Sequence, residues 1–93
     1  MDSILVDDME HCIFCGSNKV HRHHIFFDSD RPLADRYKLI VPLCLEHHTE
    51  GKNSPHKNRI VDVSLKSWAQ WAYESQIGTR EQFRREFRKS YLQ

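Results

Sequence analysis

Residues 41–48 read Val41-Pro42-Leu43-Cys44-Leu45-Glu46-His47-His48, an apolar run that ends in a Cys-x-x-His pair with a second histidine directly behind it. A matching pair stands upstream in Cys12-Ile13-Phe14-Cys15-Gly16, with 28 residues between Cys15 and Cys44. A tetrahedral zinc ion takes four soft or borderline ligands, and two turns of this spacing each bring two of them to one point. Redox Cys-x-x-Cys pairs open a helix in a strand–helix–strand setting, which this sequence does not offer. Ordinary buried thiols leave the matching Cys-x-x-His unexplained. Cys12, Cys15, Cys44 and His47 are therefore read as a structural Cys3His zinc site.

The size of the chain makes such a staple useful. Its 93 residues bury about two-thirds of the unfolded surface, which leaves a thin hydrophobic core. Three cysteines cannot all pair with one another, and no N-terminal segment has the form of a signal peptide. No apolar run is long enough to span a bilayer. Disulfide scaffold and membrane protein are excluded, and with 29% charged and 11% aromatic residues the chain is not compositionally disordered. The expectation is an intracellular, metal-stapled chain.

Charge is uneven along it. Asp2, Asp7, Asp8 and Glu10 give residues 1–10 a balance of −4, so a whole-chain charge of +1 leaves +5 for residues 11–93. Residues 1–10 are read as a mobile acidic lead and 11–93 as one domain. Arg80, Arg84, Arg85, Arg88 and Lys89 concentrate positive charge near the C-terminus, which suits an anionic partner such as nucleic acid and equally a solvated helix face.

Working outward from the knuckles, Val20 to Phe27 interleaves β-branched and aromatic residues with polar ones and predicts a strand. Residues 28–36 are polar and turn-rich, and Tyr37 to Leu43 predicts a second strand limited by Pro42. From about Val61 the period changes: Leu65, Trp68, Ala69 and Ala72 make one helix face, with Asp62 as its cap and Gly78 past its end. Thr79-Arg80-Glu81-Gln82 has the form of a capping box, opening a helix that carries Phe83, Phe87 and Tyr91 at four-residue steps. These aromatics are read as core. The fold class is α+β.

The string Arg22-His23-His24-Ile25, followed by Cys44-Leu45-Glu46-His47-His48, resembles the HNH nuclease superfamily, the ββα-metal or His-Me finger fold. Together with the C-terminal TREQFRREFRKSYL, the chain is most similar to small phage HNH proteins of the RecA-dependent nuclease group. The resemblance implies a ββα-metal finger with the Cys3His zinc knuckle and two packed C-terminal helices. It implies a metal-dependent endonuclease that hydrolyses DNA phosphodiester bonds with low sequence specificity in the cytoplasm of a bacterial host, with a RecA-type filament as a partner in recombination. It assigns His24 as general base, and His23, His48 and His56 as ligands of a catalytic Mg, Mn or Zn ion. Adjacent histidines on a strand face opposite ways, so His23 and His24 have different jobs. The middle Asn of the family pattern falls at Leu39, and Asn58, Asp35 or a backbone group is a candidate substitute. Arg22 joins Arg80, Arg84, Arg85, Arg88 and Lys89 as a candidate DNA contact. His11 and His21 fit no ligand pattern and are read as background. The competing expectation is a zinc-finger module that binds nucleic acid or protein without cutting, which needs the cysteines but not His24.

Overall fold

The fold rests on a two-stranded antiparallel ladder, β1 (Val20–His24) with β2 (Ile40–Cys44), paired from Val20 opposite Cys44 to His24 opposite Ile40. The computed structural model describes residues 2–92. Between the strands runs α1 (Arg31–Tyr37), and after them come α2 (Arg59–Gln76) and α3 (Arg80–Phe87). The class is α+β, as expected.

Every residue of β2 is buried. Pro42 does not limit the strand but sits inside it, because its missing N–H falls on the outer edge. There its carbonyl accepts from Ile13 N–H at 3.2 Å, and a residue's N–H and C=O point the same way in a strand. The second strand begins at Ile40 rather than Tyr37, since Lys38 adopts the left-handed conformation (φ 57°) that closes α1. The first strand stops at His24, where Ile25 and Phe26 turn into the core and Ile25 N–H donates to the Leu39 carbonyl at 3.1 Å. Residues 28–36 are the larger correction. They form a short turn of helix (Asp28–Asp30) and most of α1, with Pro32 in the first helical turn, where no intrahelical N–H is required.

The cap of α2 is Asn58, not Asp62: its Oδ1 accepts from the N–H groups of Ile60 (2.9 Å) and Val61 (3.3 Å). Asp62 lies in the first turn, where its charge suits the helix dipole, and pairs with Lys66 Nζ at 2.9 Å. The buried face of α2 carries Leu65, Ala69, Ala72 and Tyr73. Gly78 then lets the chain turn tightly, since a Cβ there would lie 2.4 Å from Gln82 Oε1. That Gln82 atom completes the expected capping box by accepting from Thr79 N–H, while Thr79 Oγ1 accepts from Gln82 N–H.

Phe83 and Phe87 stack at 4.2 Å between ring centres, and Phe26 packs on Phe87 at 4.5 Å. Tyr91 lies beyond the helix, which ends at left-handed Arg88, yet its ring still meets Phe26 at 5.7 Å. One carboxylate ties the helices together: Glu86 accepts from the hydroxyls of Tyr37 (2.5 Å) and Tyr73 (2.6 Å). Replacing Phe83 with alanine is expected to cost about 3–5 kcal/mol in urea unfolding of the metal-loaded protein, because the ring is fully buried among four aromatic neighbours. A loss below about 1 kcal/mol would show that this cluster is not the core.

Part of the acidic lead is anchored. Ser3 is buried, and its Oγ accepts from Leu5 and Val6 N–H groups. Ile4 donates to the Lys38 carbonyl and accepts from Gln76 Nε2, both at 3.1 Å. No helix among the described residues is long and apolar enough to cross a membrane.

Candidate metal centres

Cys12 and Cys15 stand on a tight loop held by Gly16 N–H to the Cys12 carbonyl (2.9 Å) and Cys12 N–H to the Ser17 carbonyl (2.8 Å). Gly16 has φ 78°, a conformation that favours a residue without Cβ. Cys44 ends β2, and the chain then enters a wide helical turn, Glu46–Glu50, closed by Gly51 N–H on the Glu46 carbonyl at 2.7 Å. Only glycine fits there, since a Cβ on Gly51 would lie 2.5 Å from that carbonyl oxygen. The turn rotates consecutive side chains apart, so His47 faces the cysteines and His48 faces β1.

The first cluster has the dimensions of a zinc site. Zn–S near 2.3 Å and Zn–N near 2.0–2.1 Å in a tetrahedron set S···S at about 3.8 Å and S···N at about 3.6 Å. Cys15 Sγ lies 3.7 Å from Cys44 Sγ, and His47 Nδ1 lies 3.7 Å from Cys12 Sγ and 3.1 Å from Cys44 Sγ. The sulfurs of Cys15 and Cys44 are too far apart to be a disulfide. Burial pushes the Cys12 thiol up, but N–H donors from Cys44, Phe14 and Cys15 outweigh it and bring the pKa down to about 7. A thiolate held by backbone donors is the form that binds metal. The donor set and its spacing fit zinc.

A second cluster forms on the other side of the wide turn. Donor atoms of His23, His48 and His56 all lie within 4.8 Å of one another. Their ring centres are 5.0 to 5.4 Å apart. His23 is 1% exposed, and its Nε2 has no hydrogen-bond partner. Burial above all, then the charges of His48, His56, His24 and Lys66, drop its pKa to about 3. His48 is also held below the usual imidazole range, by burial and then by His56 and His21. A buried neutral imidazole with an unpaired nitrogen carries a desolvation cost that a bound cation would remove. The residues fit a divalent ion.

His24 lies outside the three-histidine cluster, and its Nε2 meets Asp35 Oδ1 at 2.7 Å. Asn58 does not brace it, because its side chain caps α2 and donates to Asn53. Leu39 is buried in the core, and its carbonyl accepts from Ile25 N–H, next to His24. His23, His24, His48 and His56 line one groove of about 430 Å3, with Arg22, Phe27, Asp28 and Arg31.

Arg31, which lines the groove, and His21, which touches His48 beside it, escaped the sequence reading. Arg31 opens α1 and was hidden inside an apparent loop. His21 lies two positions before His23, on the same strand face, and its Nδ1 is 3.4 Å from His48 Nδ1. That two-residue spacing was the available signal. His11, by contrast, pairs with exposed Asp8. The C-terminal basic run is largely compensated: Arg80 pairs with Glu74, Arg85 with Glu81 and Arg88 with Asp30, while Lys89 Nζ sits 4.8 Å over the Tyr91 ring. Arg84 has none of these ion-pair partners. Compared with protein-family models, with curated proteins and with solved structures, the chain matches none.

Proposed function

We propose that the chain is a metal-dependent DNA endonuclease of the HNH, ββα-metal kind. The observation that carries this reading is the groove itself, where three imidazoles with a buried unpaired nitrogen among them converge and which a fourth, carboxylate-bonded histidine and two arginines also line. Asp35 accepts from His24 Nε2–H, which leaves Nδ1 as the lone pair that takes a proton from the attacking water. Arg22 and Arg31 hold the phosphodiester backbone, giving binding with little base readout. His23, His48 and His56 would hold a divalent ion there, which when bound would supply electrostatic stabilisation of the negative charge that develops during phosphodiester hydrolysis. Cys12, Cys15, Cys44 and His47 would hold a structural zinc, which would tie the start of the wide turn to the Cys12–Cys15 loop. The same reading gives a phage source, the cytoplasm of a bacterial host, and a RecA-type filament as partner.

An all-imidazole ligand set suits borderline transition ions better than Mg, which prefers oxygen. Nicking of supercoiled plasmid is therefore expected with Mn2+ or Zn2+ and to be weaker with Mg2+. Intact plasmid under all three ions would contradict nuclease activity. It would favour the zinc-finger binding module, which needs only the cysteine cluster and leaves the buried Nε2 of His23 without a purpose.

A further inference from the structure

We infer that His21 is a positioning residue for His48, accepting a hydrogen bond that fixes which nitrogen His48 offers to the groove. The inference rests on the reading of His23, His48 and His56 as a metal site and adds a residue to it. His21 and His23 project from the same face of β1, and the wide turn places the His48 ring against both. The contact to His21 joins Nδ1 to Nδ1 at 3.4 Å, with the rings edge to face.

Two neutral imidazoles in this arrangement share one proton asymmetrically. If His48 carries it on Nδ1 and donates, its Nε2 lone pair is free for an ion, and His21 keeps its own proton on Nε2, facing solvent. If His48 carries the proton on Nε2, that nitrogen is blocked. A metal-binding histidine commonly donates its second N–H to a fixed acceptor, which sets the tautomer and raises the ligand's basicity. Carbonyl and carboxylate groups usually fill that place. Here the acceptor is a histidine two residues from a ligand on the same strand.

The test has two readouts. Long-range 1H–15N correlation spectra of protein whose groove holds no ion report which nitrogen of His48 is protonated. The expected state is Nδ1–H in the wild type and in His21→Asn, whose amide oxygen keeps an acceptor near the same point, and a shift towards Nε2–H in His21→Ala. In Mn2+ titrations His21→Ala is expected to bind about ten- to a hundredfold more weakly, with His21→Asn restored. Unchanged spectra and affinity in His21→Ala would overturn the proposal. So would equal losses in both variants, since the ring rather than its acceptor would then matter. A wild-type chain that takes up no ion in the groove would contradict the metal-site reading instead, and the His48 tautomer would still decide for or against His21.

Discussion

Cys44→Ser is expected to abolish cooperative folding. Cys44 is the residue where β2, the knuckle loop and the wide turn meet: its backbone N–H supports the Cys12 sulfur, and its own sulfur lies within 3.7 Å of Cys15 Sγ and 3.1 Å of His47 Nδ1. Structural zinc contributes about 10–16 kcal/mol in zinc-finger peptides at neutral pH. A whole domain is stable by only about 5–15 kcal/mol. Loss of the ion thus removes an amount comparable to the whole net stability of such a domain. The expected results are a broad, non-cooperative urea transition, loss of near-ultraviolet circular dichroism and the same behaviour in wild type treated with a chelator. A Cys44→Ser protein that unfolds cooperatively at the wild-type midpoint would show that the cluster is not what holds the fold.

His24→Ala is expected to lower plasmid nicking by about a hundred- to ten-thousandfold, the usual contribution of a positioned general base. Metal content should stay at the wild-type value, because His24 faces Asp35 rather than the three-histidine cluster. That split separates it from His56→Ala, which should lose activity and an ion together. Equal nicking by wild type and His24→Ala would point to a contaminating nuclease or to another base.

Much of this was legible before any coordinates. Cys12, Cys15, Cys44 and His47 announce themselves because metal ligation imposes spacing on the chain, and the capping box at Thr79 because its two hydrogen bonds are local. Strand alternation separated His23 from His24 for the same reason. What escaped depends on partners far along the sequence. Residues 28–36 read as a loop because Pro32 and the aspartates favour turns, while a first-turn proline serves a helix equally well. Asp62 and Asn58 are both good caps, and backbone geometry chose Asn58. Tyr91 keeps the four-residue step of Phe83 and Phe87 although the helix has already ended, because packing on Phe26 rather than helical geometry places it. Arg31 and His21 acquire meaning only once α1 and the wide turn bring the groove together. The basic C-terminus lost prominence in the same way, since Glu74 and Asp30 reach it from other elements.

Counting bound ions under native conditions tests the central claim, that one short chain builds two separate metal centres on either side of one turn. Native mass spectrometry of wild-type protein purified without chelator and supplied with zinc should show two ions per chain, and His56→Ala, altered at an exposed position, should show one. A wild type that holds a single ion under those conditions would contradict the second centre and the nuclease reading built on it.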